Sequence, residues 1–234
     1  LPVPFKDGTG GIRHASFFQG WLKVYDEDGF CGQGPASRIM VDFFVPRLLE
    51  QGGKTNSEWT HYFWWEIRNF GYQSPYVAEM FNLDWILLDL LANRAQKPLH
   101  RFLGATKDWA SVYKGGGSVL LSDEALLDDL LRFKSEGFKI TKFKIGGNGN
   151  DWSADVRRLE KARLALGDDF GIAVDANQAW DADTAFEFAK AAAPYNVEWF
   201  EEPVHAFDME ALRSLRDQMD NAGISMEIAM GELY

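Results

Sequence analysis

Hydrophobic and polar residues follow different periods in the two parts of the chain. In the first part, apolar residues recur at helical spacing over three stretches, residues 36–51, 56–69 and 75–95. Before them, the sequence "GWLKVYDEDGFCGQG" has two short strand-like runs around the turn residues Asp26 to Gly29, which is typical of a β-hairpin. Residues 1–107 are therefore predicted to form an α+β domain.

The remaining residues, 108–234, alternate between short strand-like stretches and longer helical ones. Each predicted helix begins near a residue that favours a helix N-cap, namely Ser122, Asp151, Asp181 and Asp208. This alternation predicts parallel βα units and hence an α/β domain. The predicted strands are 111–119, 139–146, 171–177, 197–202 and 224–231, and the predicted helices are 122–136, 151–166, 181–193 and 208–221.

An aromatic cluster, "HYFWWEIRNFGY" at residues 61–72, lies in the second predicted helix. We expect this cluster to form a buried helix face or a contact between subunits, and stacking on a ligand is the alternative. The aromatic residues of the first domain thus favour a homo-oligomer.

Composition excludes several classes of partner. The chain is 46% hydrophobic, and its 24 basic and 35 acidic residues give a net charge of −11, which argues against binding to nucleic acid or an anionic membrane. No apolar run approaches the roughly 18 residues of a membrane span. Because Cys31 is the single cysteine, an internal disulfide is excluded. This is compatible with a reducing compartment, and we expect a cytoplasmic protein.

Charged residues stand at the carboxyl ends of the later predicted strands. The strand "KITKFKIGG" carries Lys142 and Lys144, and the next strands end in "AVDANQ" with Asp175, "WFEEP" with Glu201, and "AMGE" with Glu232. Lys144 and the three acidic residues follow one another at intervals of 26 to 31 residues, about one βα unit. Because successive units are neighbours in a parallel barrel, these side chains should converge at one mouth.

Three converging carboxylates repel one another unless a cation neutralises them. A hard divalent ion with oxygen ligands is the natural partner, and Mg²⁺ fits best. The alternative is that each carboxylate is an ordinary solvated loop charge, since βα loops often begin with Asp or Asn. Carboxylates at the ends of three consecutive strands, beside a pair of lysines, favour the metal site over solvated loop charges.

Lys142 and Lys144 alternate with Phe143 in the strand, so the two ammonium groups share one face. Each charge makes the other more costly, which favours a neutral lysine that acts as a base near a metal-bound carboxylate substrate. The predicted chemistry is abstraction of the proton next to that carboxylate. The alternatives are two solvent-facing lysines on an edge strand, or a lysine that forms a Schiff base.

The motifs "KFKIG", "DANQ", "FEEP" and "MGE" resemble, in this order and spacing, those of the enolase superfamily, specifically its mandelate racemase group (the mandelate racemase/muconate lactonizing enzyme family). The segments "WLKVYDEDGFCGQG" and "NLDWILLDLLANRAQKPLHRFLGA" are similar to the family's capping-domain hairpin and last capping-domain helix. The resemblance implies an α/β fold: a partial (β/α)8-type TIM barrel with about five strands at residues 108–234, preceded by an α+β capping domain at residues 1–107.

The resemblance also implies roles for single residues. Asp175, Glu201 and Glu232 would be Mg²⁺ ligands. Lys144 would be the base, and Lys142 would help to set its pKa and contact the substrate carboxylate. Asn177 would bind substrate, as would Arg13 and His14, which match in position the family's mobile capping loop.

A glutamate as the third ligand is similar to mandelate racemase and to many acid-sugar dehydratases. The resemblance therefore implies a lyase that dehydrates an acid sugar through an enediolate. The alternatives are a racemase or epimerase of a 2-hydroxy acid, or a non-catalytic metal-binding homologue. The partner in each catalytic case is a small carboxylate substrate.

The chain departs from the family in length. The family's barrel has eight strands and a later histidine–aspartate dyad, whereas this sequence ends at Tyr234, just past its fifth predicted strand. The family's first capping strand also has no counterpart. We therefore expect this sequence to be part of a longer chain and to be inactive alone.

Overall fold

The computed structural model describes residues 20–232. These residues divide into two units, residues 20–110 and residues 111–232. The assignment of capping and barrel domains at the predicted boundary, 107/108, stays a prediction.

The first unit begins with a β-hairpin and continues as helices. Strands β1 and β2 pair in antiparallel fashion from Gly20↔Ala36 to Tyr25↔Cys31, which confirms the predicted hairpin. The elements of this unit are β1 (Gly20–Tyr25), β2 (Cys31–Ala36), a π-helical turn (Met40–Phe44), α1 (Val45–Gln51), α2 (Asn56–Ile67), α3 (Pro75–Arg94) and α4 (Leu99–Phe102).

The helix predicted over 36–51 is confirmed with a later start: residues 38–51 are helical without a break, and they include the π-helical turn. β2 extends to Ala36, and a π-helical turn separates it from α1. Pro46 stands in the first turn of α1. Because proline has no N–H to donate, it suits the start of a helix and not its interior.

Apolar faces of α2 and α3 form the core of the first unit. Phe63 packs against Trp59 and Phe44, with ring centroids 5.5 and 4.7 Å apart. Strand β2 of the hairpin approaches α3 closely at Gly32, where an added Cβ would lie 2.1 Å from the carbonyl oxygen of Ile86. Phe63 is the buried ring through which the aromatic cluster contributes to this core, whereas Trp65, Phe70 and Tyr72 are exposed. The role of the cluster as a subunit contact stays a prediction.

The second unit is a parallel sheet of five strands in the sequential order β3-β4-β5-β6-β7. Helices connect the strands, as the βα pattern predicts. The elements are β3 (Lys114–Gly116), α5 (Asp123–Ser135), β4 (Ile140–Lys144), α6 (Ser153–Leu166), β5 (Gly171–Asp175), α7 (Ala182–Ala192), a 3₁₀ turn (Ala193–Tyr195), β6 (Val197–Glu201), α8 (Met209–Asn221) and β7 (Glu227–Ala229).

A single apolar core lies between the strands and helices of this unit. Phe143, Val174 and Phe200 contribute from neighbouring strands, and Leu159 and Phe188 from helices, all of them fully buried. β3 and β7 have three residues each, fewer than predicted, and both lie at the ends of the strand order. Within residues 20–232 each of these two strands pairs with a single neighbour, which gives a strand less support.

Three of the four predicted helix caps are confirmed. Ser122, Asp181 and Asp208 accept hydrogen bonds from the backbone N–H three residues later. The cap predicted at Asp151 was wrong, because Trp152 occupies the N-cap position of α6. The Oδ1 of Asp151 instead accepts hydrogen bonds from the N–H and hydroxyl of Ser153, an Asx turn that competes with capping.

Within residues 20–232 no helix combines the length and the hydropathy that a membrane span requires. The 20-residue helix α3 carries Glu79, Asp84, Asp89 and Arg94.

Candidate active site

Strand register brings the predicted site residues side by side. Lys144 pairs with Asp175, Asp175 with Glu201, and Glu201 with Ala229 across four neighbouring strands. Asp175 and Glu201 are the last residues of β5 and β6. The carboxyl ends of these strands therefore form one row, as the spacing of the motifs predicts.

The two lysines lie on the face of β4 opposite to its apolar core residues. Phe143, between them, is fully buried, whereas the side chains of Lys142 and Lys144 are 12% and 17% exposed. The alternation expected for "TKFKI" is confirmed. Both ammonium groups thus lie partly buried and close to the row of carboxylates.

Asp175 is the centre of this charged cluster. Its fully buried side chain accepts hydrogen bonds at Oδ2 from Lys142 Nζ (2.9 Å) and Lys144 Nζ (2.7 Å). Its Oδ1 accepts a bond from the backbone N–H of Asn177 (2.9 Å). Burial favours the protonated carboxyl, but the two ammonium groups outweigh it and hold the pKa of Asp175 below its usual value.

Glu201 shares the ammonium group of Lys142. Its Oε1 accepts a hydrogen bond from Lys142 Nζ, and its Oε2 accepts one from the indole N–H of Trp199 at 3.0 Å. Burial lowers the pKa of Lys142, but the hydrogen bonds to Glu201 and Asp175 reverse the effect, and the net shift is upward. Lys142 is therefore a stable cation in this arrangement.

Asn177 and Glu232 stand at the edge of the cluster. Asn177 Nδ2 donates a hydrogen bond to Glu232 Oε2 at 3.4 Å. The Oδ1 of Asn177 is buried and has no hydrogen-bond partner among residues 20–232. Such an atom is costly to bury unless a ligand or water satisfies it.

A cavity of about 490 Å³ adjoins this cluster. It is lined by Lys142, Lys144, Glu201, Ala229, Met230, Gly231 and Glu232. The structure thus brings together Lys142, Lys144, Asp175, Asn177, Glu201 and Glu232. Arg13 and His14 lie outside the described residues.

The carboxylates of Asp175, Glu201 and Glu232 do not converge on a common position. Among residues 20–232 no three His, Cys, Asp or Glu side chains are arranged so that they could hold a metal ion. The reason is that Lys142 bridges Asp175 and Glu201, and Glu232 contacts Asn177 instead. The donor chemistry, carboxylate oxygens beside an unsatisfied amide oxygen, still matches the preference of a hard divalent cation.

Two aromatic residues of the site were missed. Trp199 lies two positions before Glu201, so the alternation of "VEWFE" places both on one face and could have identified it. The rings of Tyr113 and Trp199 meet edge to face, with centroids 5.1 Å apart, and Lys142 Nζ lies 5.8 Å from the Tyr113 ring. Tyr113 lies in the predicted strand 111–119 but precedes β3 in the structure, and the sequence pattern did not identify it as a site residue.

Comparison with known proteins connects this site to a family of enzymes. The family model described as "Enolase C-terminal domain-like" matches residues 125–234. The L-talarate/galactarate dehydratase of Salmonella typhimurium strain LT2 is 33% identical over 170 residues, which are 72% of this chain and 41% of the relative. The 3,6-anhydro-alpha-L-galactonate cycloisomerase of Streptomyces coelicolor is 34% identical over 220 residues, or 89% of this chain and 60% of the relative.

A solved structure agrees with the sequence matches. The crystal structure of a racemase from Streptomyces coelicolor A3(2) with bound magnesium superimposes with a TM-score of 0.84 at 27% identity, and the match covers 100% of this chain and 66% of the racemase. This confirms the predicted fold class, a partial TIM-type barrel. The chain spans 41% and 60% of the length of the two relatives above. By sequence and by fold, the chain belongs to the enolase superfamily.

Proposed function

We propose that the protein containing this chain removes the proton next to the carboxylate of a small hydroxylated acid, with Mg²⁺ as cofactor. The observation that carries the proposal is the row of Lys144, Asp175 and Glu201 across three adjacent strands, beside a 490 Å³ cavity. A carboxylate substrate in this cavity would meet cationic lysines and a carboxylate-rich edge at once. That combination suits the chemistry of a carbon acid.

Asp175, Glu201 and Glu232 are the residues that would hold Mg²⁺. When bound, the ion supplies positive charge that stabilises the anion left by loss of the α-proton. Support comes from the buried, unsatisfied Oδ1 of Asn177 and from the magnesium in the related racemase structure.

The lysines have different tasks in this proposal. Lys144 Nζ contacts only Asp175 among the hydrogen bonds of the cluster, so it can turn toward a substrate and take the α-proton at Nζ. Lys142 is bonded to both Asp175 and Glu201 and keeps its charge. It would orient the substrate carboxylate by a charge-assisted hydrogen bond.

We favour dehydration of an acid sugar as the overall reaction. After Lys144 takes the α-proton, the electron pair of the C–H bond forms a C=C bond as the C–O bond to the β-hydroxyl group breaks. The leaving oxygen takes a proton and departs as water, and the ammonium form of Lys144, which holds the α-proton, is the donor that the site supplies. The similarity to an L-talarate/galactarate dehydratase supports this choice. The second candidate is racemisation or another isomerisation, which the similarities to a cycloisomerase and a racemase support.

The test uses the full-length protein with Mg²⁺ and a panel of acid sugars in deuterated water. NMR reports exchange of the α-proton, and a keto-acid assay reports dehydration. A 2-keto-3-deoxy product supports the dehydratase, whereas exchange without keto product supports the isomerase. If no acid in the panel gives α-proton exchange or a keto product, the proposal is overturned in favour of a non-catalytic homologue.

Lys144→Met is the variant that tests the base. General-base catalysis contributes about 10²- to 10⁴-fold, so exchange should fall by that factor. Lys139→Met is the matched control, because Lys139 is an exposed lysine directly before the same strand. Exchange at the unsubstituted rate in Lys144→Met would exclude Lys144 as the base.

A further inference from the structure

Glu202 follows the last residue of β6 and is 1% exposed. It is the second glutamate of "FEEP", and it has no role in the site as described so far. We propose that Glu202 is a positioning residue that holds Asn177 and Glu232 in place for cation binding. This inference rests on the proposed function.

The carboxylate of Glu202 joins two loops. Its Oε2 accepts a hydrogen bond from Gln178 Nε2 at 3.2 Å, in the loop after β5. Its Oε1 accepts one from the backbone N–H of Glu232 at 3.2 Å, in the segment after β7. One buried side chain therefore connects the neighbours of Asp175 to the third predicted metal ligand.

The backbone of Glu202 makes the same connection. Its carbonyl accepts from the N–H of Gln178 at 2.7 Å, and its N–H donates to the carbonyl of Ala229 at 2.8 Å. Three consecutive strand ends are thus joined by four hydrogen bonds at a single residue. Carboxylates held from outside in this way keep the orientation that a metal needs.

The backbone around Glu202 adopts an energetically unfavourable conformation. Among residues 20–232 five non-glycine residues have positive φ, and three of them meet here: Asn177 (46°), Gln178 (64°) and Glu202 (42°). Positive φ disfavours residues with a Cβ, and such strain is typical of functional sites where surrounding contacts hold the backbone.

The side-chain amide of Gln178 determines which groups in this network donate hydrogen bonds and which accept them. Its Oε1 accepts from the N–H of Ala206 at 2.9 Å, so its Nε2 must face Glu202. An amide at position 202 can satisfy only one of its two neighbours, because both Gln178 Nε2 and the Glu232 N–H are donors. Glu202→Gln therefore removes one hydrogen bond with almost no change in volume.

Exchanging the two side chains restores every bond. In the double variant Glu202→Gln with Gln178→Glu, the new carboxylate can accept from Ala206 and from the amide at 202. The amide oxygen at 202 can accept from Glu232. This variant also keeps the net charge of the protein, so a recovery of function would depend on the hydrogen bonds alone.

The experiment measures Mn²⁺ binding to the full-length protein by electron paramagnetic resonance, with amide exchange of the loops by mass spectrometry. Loss of such a supporting contact costs about 10- to 100-fold in metal affinity, and we expect this loss in Glu202→Gln and its recovery in the double variant. Exchange of residues 229–232 should rise and recover in parallel. Glu198→Gln is the matched control, since Glu198 is an exposed glutamate of the same strand, and its affinity should not change.

Three results would overturn the inference. Unchanged Mn²⁺ affinity in Glu202→Gln would show that Glu202 does not position the ligands. Weak binding that persists in a folded double variant would exclude the hydrogen bonds as the cause. No Mn²⁺ binding by the unsubstituted protein would overturn the proposed metal site, and the inference with it. Binding by the unsubstituted protein with unchanged affinity in Glu202→Gln would overturn the inference alone, so the two failures are distinguishable.

Discussion

Asp155 provides a prediction whose sign and size follow from its surroundings. It lies in the first turn of α6, is 2% exposed, and accepts a hydrogen bond at Oδ2 from the backbone N–H of Gly146 at 3.1 Å. Burial raises the pKa of Asp155 to about 6 from 3.8, against the lowering effects of the Gly146 bond, Arg158 and Arg157; the charge of Asp151 adds to the rise.

A raised carboxyl pKa makes the folded protein less stable as the pH increases. The folded state holds the proton more tightly than the unfolded state, so the stabilisation is complete below about pH 4 and disappears as the pH rises through about 6. The full difference is about 3 kcal/mol, at about 1.4 kcal/mol per pKa unit. Between about pH 5 and pH 8 the linkage relation gives about 1.4 kcal/mol.

Asp155→Asn isolates this contribution because the amide oxygen can still accept from Gly146. We expect the free energy of unfolding of the variant, minus that of the unsubstituted protein, to rise by about 1.4 kcal/mol from about pH 5 to pH 8. Urea denaturation at several pH values measures this difference.

Asp151→Asn is the control, four residues earlier in the chain. Asp151 is exposed, and hydrogen bonds from Ser153 lower its pKa. Its removal should therefore produce only a small part of the rise, through the Asp151 charge that adds to the pKa of Asp155. A difference for Asp155→Asn that stays constant across this pH range would refute the reasoning, because it would mean that burial does not raise the pKa of Asp155.

Two further substitutions test close contacts. Gly32→Ala would place a Cβ 2.1 Å from the Ile86 carbonyl oxygen, and we expect a loss of about 1–3 kcal/mol in thermal or urea unfolding. Gly115→Ala, where the nearest atom is 4.0 Å away, is its control, and equal stability of both variants would contradict the reasoning. Trp199→Phe removes the bond to Glu201 and should weaken Mg²⁺ binding about tenfold in calorimetry. Trp109→Phe, at an exposed position, should not weaken Mg²⁺ binding. Unchanged Mg²⁺ affinity in both variants would show that the indole contact with Glu201 does not support binding.

The sequence was sufficient to predict the repeated βα units and the row of strand-end charges. Both depend on local periodicity. Alternation along β4 places Lys142 and Lys144 on one face, and the regular spacing of the units brings Lys144, Asp175 and Glu201 into register. The edge strands were predicted too long, because strand length there depends on the number of neighbours and not on residue type alone.

The contacts within the site could not be predicted in the same way. The bond between Lys142 and Glu201 joins residues 59 positions apart in sequence, and its formation depends on rotamers and on local charge balance. Likewise, nothing in "DANQ" or "FEEP" indicates that Gln178 and Glu202 face each other. Tyr113 lies in the predicted strand 111–119, but the observed strand begins at Lys114, so alternation did not indicate the contact of Tyr113 with Trp199.

The pairing of Lys142 and Lys144 with Asp175 and Glu201 has a consequence for how the protein is made in a cell. The chain carries its own counter-ions for these two carboxylates, so charge balance during folding does not depend on a supply of divalent cations. Under the proposed function, Mg²⁺ would then control turnover without being required to neutralise these two carboxylates in the folded chain. Synthesis and activation of the enzyme would be separate events.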